Sequence, residues 1–137
     1  IQINFNSGFI DPSEGKKEDA FIAKHQTEMD SIIQSGQNMY VAEEMIHKKY
    51  YEESQSLRAP FSMLINHIQY IIKLVGVDYV GIGSDFDGII LPPQQLDDVT
   101  DYPLITKALV EKGYSEKDID KILGGNLLRV LKANEAR

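Results

Sequence analysis

The sequence predicts an α/β fold in which parallel strands alternate with helices, and three observations predict it. Residues 1–5 alternate apolar and polar side chains, residues 77–83 form a short apolar and glycine-rich run, and an amphipathic helical pattern stands between them. A strand, a helix and a second strand in that order imply a crossover connection and a parallel pair.

Composition narrows the class before any element is placed. At 137 residues the chain suits one domain or part of a larger one. Its 42% hydrophobic and 26% charged content is that of a globular chain and argues against disorder. The net charge of −7 argues against a nucleic-acid surface, which needs clustered Lys and Arg. The absence of cysteine excludes disulfides, thiolate metal sites and a cysteine nucleophile, and leaves the compartment open. No apolar run approaches the roughly 20 residues of a membrane span, and no signal peptide is visible.

In the first segment Ile1, Ile3 and Phe5 alternate with Gln2, Asn4 and Asn6, the period-2 signal of a strand with one buried face. Because the chain opens in mid-strand and without Met, upstream sequence is expected. The alternative is a trimmed tag or a disordered start. Ser7-Gly8 ends the strand, and residues 11–15 are turn-rich. Residues 17–57 read as two polar helices broken near Ser35-Gly36-Gln37-Asn38, with thin apolar stripes of Phe21, Met29, Ile32 and Ile33, then Met39, Val41, Met45 and Ile46. Lys48-Lys49 and the run from Tyr50 to Glu53 are assigned to a wet face. The region is read as an insertion packed on a larger body.

Leu64, Ile68, Ile71, Ile72 and Val75 mark one face of a helix, with Ser62 as its expected N-cap and Gly76 as a left-handed end. The run 77–83 is the second strand, its glycines suited to close backbone approach. The connector 84–99, containing Pro92-Pro93, is long, which favours a functional loop. Pro103 to Lys112 is a helix with Pro in its first turn and Gly113 past its end. Ser115-Glu116-Lys117-Asp118 is a capping-box pattern, Gly124-Gly125 is a break, and Asn126 is the expected cap of a last helix carrying Leu127, Leu128, Val130 and Leu131. Two parallel strands cannot cover both faces of a stable sheet, so these strands are expected to need neighbours.

The chemistry-bearing stretch is Gly81-Ile82-Gly83-Ser84-Asp85-Phe86-Asp87-Gly88. It places Asp85 just beyond the C-terminal end of a parallel strand, the edge where α/β folds bind ligands. Asp85 reads as a general base or ammonium-binding carboxylate, as a metal ligand, or as a turn-forming residue. Asp87 reads as structural, turning back onto backbone N–H groups. A calcium loop starting at Asp85 fails, because Ile89, Ile90 and Leu96 stand at its fifth, sixth and twelfth positions. A dinucleotide fingerprint fails because the third glycine falls at 88. His25 and His47 are expected to face solvent, and His67 to lie at a helix surface or core edge, none with a partner at convincing metal-ligand spacing.

Residues 65–131 resemble the C-terminal segment of the membrane (renal) dipeptidase family. The resemblance is carried by His67-Ile68-x-Tyr70-Ile71, by Gly76 through Gly88, by Leu96-x-Asp98-Val99-x-x-Tyr102-Pro103, by Gly113-Tyr114-Ser115 and by Gly124 through Val130. Ile3-Asn4-Phe5 is similar to the family's seventh barrel strand. The resemblance implies the C-terminal part of a (β/α)8 TIM-type barrel, strands seven and eight with their helices. Within residues 1–137, residues 11–58 would be a helical insertion and residues 59–137 the last strand and closing helices. Residues 11–58 exceed what the resemblance places after strand seven.

The resemblance further implies a zinc-dependent hydrolase of dipeptides that uses metal-activated water, with two zinc ions as cofactor. Asp85 matches the family's substrate-contacting, proton-shuttling aspartate, Gly88 lies in the same loop, and Phe9 falls where some relatives carry Tyr. The metal ligands are expected upstream of Ile1, so this segment supplies none. It is expected to be inactive without the missing N-terminal part of the barrel, with a homodimer among the admissible assemblies. The alternatives are a non-catalytic α/β binding module and a degenerate family member used for binding.

Overall fold

The computed structural model describes residues 1–135; the last two residues of the expected 59–137 segment lie outside it. Strands β1 (Gln2–Asn4) and β2 (Gly81–Ser84) pair in parallel, Gln2 with Gly81, Ile3 with Ile82 and Asn4 with Ser84. The register shifts between Ile3 and Asn4, which bends the pair at the end that carries Asp85. Both strands are shorter than the sequence pattern suggests. Hydrogen bonds nevertheless run past both ends of the pair, from Gly81 N–H to Ile1 O at 2.8 Å and from Phe5 N–H to Ser84 O at 2.9 Å.

Residues 77–79, expected as strand, form a 3-10 turn. The reason lies in where their acceptors are satisfied. Asn126 Nδ2 donates to Val77 O at 2.7 Å and to Val80 O at 2.8 Å, so a side chain replaces a strand ladder there. The glycines of β2 serve its neighbour. A Cβ at Gly83 would sit 3.0 Å from Gln2 Cβ and 3.2 Å from the Ile3 carbonyl oxygen, so the close approach is that of β1.

One hydrophobic cluster packs the helices against this pair. Helix α1 (Ser7–Ile10) follows β1, with Asn6 Oδ1 accepting Gly8 N–H at its start. Helix α5 (Phe61–Val75) buries Leu64, Ile65 and Ile68 against Ile3, Phe5 and Val80. Its stripe is narrower than expected, since Val75 is exposed. Pro60, not Ser62, holds its N-cap position, and Gly76 ends it at φ 90° and ψ 153°, a positive φ that favours glycine but with a ψ outside the left-handed helical region. After a 3-10 turn capped by Asp98 (Val99–Asp101), helix α6 (Tyr102–Glu111) adds Ile105 and Leu109 to the same cluster. Gly113 at φ 85° lets the chain leave α6. Helix α7 (Glu116–Asp120) is capped by Ser115 Oγ, which accepts Asp118 N–H, and a π-helical turn, Lys121–Gly125, leads into α8 (Asn126–Glu135). Asn126 does not cap α8. It is buried, and ties the helix to the approach of β2.

A second cluster joins helices α2 (Glu14–Gln34), α3 (Met39–Lys49) and α4 (Tyr51–Gln55) through Phe21, Met29, Ala42, Ile46, Leu57 and Leu91. Gly36 at φ 103° makes the expected break, and Asn38 Oδ1 caps α3 by accepting Val41 N–H at 2.9 Å. Three expectations are corrected here. Met39 and Met45 are exposed, whereas His25 and His47 are buried. Tyr50, assigned to a wet face, stacks on His25 with ring centroids 3.7 Å apart. An imidazole reads as polar in a sequence pattern, yet its flat ring packs on aromatic neighbours, His25 on Phe21 and Tyr50 and His47 on Phe21. Among the described residues, no helix is long and apolar enough to cross a membrane.

Candidate functional site at the end of the second strand

Strand β2 leads directly into a strained turn. Ser84 has φ 41° and Asp85 φ 78°, two successive non-glycine residues in a region L-residues rarely occupy. Such strain persists where surrounding contacts over-determine it, and it gathers at functional sites. The contacts are specific. Asn4, at the end of β1, donates from Nδ2 to Asp85 Oδ2 at 2.9 Å, while its own Oδ1 accepts Asn6 N–H at 2.7 Å. Tyr102 on α6 donates from its hydroxyl to Ser84 Oγ at 2.9 Å. Phe86 packs edge-on against buried Phe5, centroids 5.7 Å apart, anchoring the turn from beneath.

Asp85 and Gly88 are brought together as expected of one loop. Gly88 N–H donates to Asp85 O at 2.9 Å, and a Cβ on Gly88 would lie 2.6 Å from Asp85 Oδ1. Any side chain at 88 would therefore displace the carboxylate. The hold on the turn comes from this backbone bond rather than from Asp87, which is exposed and lines a cavity of about 420 Å³ with His47 and Tyr40. Phe9 lies on α1, 70% exposed, and lines neither that cavity nor the one beside Gly88. The structure thus unites Asp85 with Gly88 and leaves Phe9 apart from the cavities flanking their turn.

The result is an exposed carboxylate on a fixed backbone, with one oxygen held by an amide and the other free of side-chain donors among the described residues. That arrangement can pair with a cationic group. By themselves one carboxylate and one amide fall short of the three or four ligands a zinc ion takes.

A second constellation shares a cavity with Gly88 of the same turn and was missed in the sequence. Glu18 on α2 and Glu43 and His47 on α3 place one ligand atom each within 4.8 Å of one another. The legible signal was Glu43 four residues before His47, a spacing that puts both on one helix face. Burial, then neighbouring Glu14, pushes the Glu18 carboxyl up to about 7. Burial likewise raises Glu14 and Glu43, and holds the His47 imidazole down to about 4, so that His47 is neutral at pH 7. Glu18, Glu43 and Gly88 line one cavity of about 200 Å³.

Comparison with known proteins identifies the family. The family described as Membrane dipeptidase (Peptidase family M19) matches residues 1–137, a span that takes in residues 11–58 as well as the motif-bearing stretch. The chain belongs to the membrane dipeptidase family. It is 49% identical over 74 residues to dipeptidase ataJ of Aspergillus terreus, covering 54% of this chain and 18% of that protein. It is 38% identical over 80 residues to dipeptidase 3 of Macaca fascicularis, covering 58% of this chain and 16% of that one. The crystal structure of the probable dipeptidase PvdM from Pseudomonas aeruginosa superposes with a TM-score of 0.58 at 26% identity, over 94% of this chain and 35% of that one. The chain thus spans less than a fifth of those two curated relatives' length.

Proposed function

We propose that this chain is the seventh-to-eighth strand end of a (β/α)8 dipeptidase barrel and that Asp85 binds the ammonium group of a dipeptide at the barrel mouth. The observation that carries the reading is the position of Asp85: it follows β2 directly, on strained backbone, with its carboxylate aimed by Asn4 from the neighbouring parallel strand. Ligands of α/β folds gather at that edge. An exposed carboxylate already committed to one amide keeps an oxygen for a cation, and an ion pair with a free amino terminus selects short peptides over internal segments of long ones. Gly88 keeps the approach clear, because any Cβ there would crowd the same carboxylate.

The intact enzyme in this reading is zinc-dependent, with two ions held by residues outside this chain. The chain's own part is to bind and orient the substrate's amino end and to accept or return a proton there, as the pairing of an ammonium with a carboxylate permits. In the same reading Phe9, an exposed aromatic on α1 just after β1, borders the substrate. The test is Asp85→Asn in the intact enzyme. Turnover of an unblocked dipeptide should fall by about 100-fold or more, with bound zinc unchanged by elemental analysis. Unchanged turnover would remove Asp85 from the reaction.

A further inference from the structure

We propose that Glu18, Glu43 and His47 form a binding site for a divalent transition-metal cation that ties α2 to α3 beside the turn carrying Asp85. Three observations carry this. The first is the donor set: two carboxylates and one imidazole on two helices, with ligand atoms within 4.8 Å of one another. Mixed oxygen and nitrogen donors of this kind suit zinc or manganese, whereas calcium and magnesium prefer oxygen alone.

The second is an orphaned nitrogen. His47 is only 4% exposed, and its Nε2 has no hydrogen-bond partner among the described residues. Buried polar nitrogens are almost always partnered, so an unpartnered one calls for an occupant. Its nearest carboxylate oxygen, Glu18 Oε1, is 3.7 Å away, beyond hydrogen-bond reach. Two ligands around a tetrahedral ion with bonds of about 2.1 Å stand roughly 3.4 Å apart. The gap is therefore close to that of a metal shell, and Glu18, at 30% side-chain exposure, can turn to close it.

The third is the outer support of the imidazole. His47 Nδ1 lies 2.8 Å from Ser54 Oγ on α4, and both residues are buried. With Nδ1–H donating to that hydroxyl, Nε2 keeps its lone pair directed at the two glutamates. Metal-bound imidazoles are held in this way, by a partner on the opposite nitrogen. Glu14, buried on α2 one turn before Glu18, adds a further carboxyl beside the pair and, after burial itself, raises Glu18. Like charges gathered at one buried place repel, and a cation is the simplest group that turns that repulsion into attraction.

The experiment uses the intact protein stripped with EDTA and titrated with zinc, with manganese as a second probe. Zinc content after gel filtration and the affinity of each equivalent are measured for the wild type, for His47→Ala and for the double variant Glu18→Gln/Glu43→Gln. Both variants should retain one zinc fewer per chain than the wild type, or bind that equivalent at least about 100-fold more weakly, past the 10–100-fold cost of losing an outer-shell partner. Circular dichroism in EDTA controls for folding, and the isosteric Gln pair decides should His47→Ala unfold. Asp85→Asn, which tests the dipeptidase reading, should keep the full zinc complement. Equal zinc content and affinity in wild type and both variants would overturn the site and leave the cluster a purely protonic one.

Discussion

Asn4 and Asp85 stand at the ends of adjacent parallel strands and are joined by one hydrogen bond, Nδ2 to Oδ2 at 2.9 Å. They are 81 residues apart in sequence, so the bond exists only when β1 and β2 pair in this register. It fixes the direction of a carboxylate whose backbone already sits at φ 78°. Because the bond is solvent-exposed, its net worth to stability is small, and the part-buried bond from Asn6 N–H to Asn4 Oδ1 adds about 1 kcal/mol. Asn4→Ala should therefore lower the melting temperature by only a few degrees while lowering turnover of the proposed dipeptidase about tenfold, through loss of carboxylate alignment. Paired thermal and steady-state measurements on that variant check both halves.

The parallel pair, the helix between its strands and the Asp85 turn were legible because each rests on local signals: period-2 alternation, a clean apolar stripe from Leu64 to Ile72, and glycines flanking an aspartate. Lengths and caps were less so. Residues 77–79 carry strand-like side chains, but Asn126, on a helix nearly 50 residues later, takes the acceptors a strand would use. The second constellation failed for a related reason. Burial of His25 and His47 depends on α2, α3 and α4 meeting, and no single helix announces that in its own periodicity. Phe9 shows the converse limit: a position matched by family pattern, on a one-turn helix whose side chain the fold leaves exposed.

Arg58 anchors the connector that follows the Asp85 turn. It is buried, donating from Nε to Pro92 O at 2.8 Å and from Nη2 to Pro93 O at 2.6 Å and Leu96 O at 3.2 Å, while Nη1 meets Gln55 Oε1 and Asp97 Oδ1. A planar fork can serve acceptors on several sides, whereas a lysine ammonium is a single point on a flexible stem. Arg58→Lys should therefore strand at least one buried carbonyl, at a cost of about 2 kcal/mol. Urea unfolding should show a lower midpoint with an unchanged slope.

Asn126 makes an analogous but smaller bridge. Both of its amide hydrogens are used, on Val77 O and Val80 O, and the side chain lies where α8 meets the entry to β2. Asn126→Leu keeps the bulk and removes both donors, leaving two carbonyls without them. A loss of about 2–3 kcal/mol is expected. Asn126→Asp should be worse at neutral pH, since a carboxylate would face two carbonyl oxygens, and should recover part of the difference as acid protonates it. Denaturation of the two variants at pH 7 and pH 4 distinguishes donor loss from simple cavity formation.

Asp11 gives the fold an acid-sensitive tie at the start of α2. Its Oδ1 accepts from Ser13 Oγ at 2.7 Å and from Ser13 N–H at 2.8 Å, and its Oδ2 accepts from Lys17 Nζ at 3.1 Å. The Ser13 bonds first, and Lys17 after them, hold the Asp11 carboxyl below its ordinary 3.8. A carboxyl whose pKa is lower in the folded than in the unfolded chain binds fewer protons when folded. Its contribution is thus fully present above pH 3.8 and is lost as pH falls through the folded value. Asp11→Asn should be about 1 kcal/mol less stable than the wild type at pH 7. That gap should hold down to about pH 4 and then close as the wild-type carboxyl takes up its proton. A gap that stayed constant to pH 2 would show that the charge on Asp11 contributes nothing and that packing alone sets the difference.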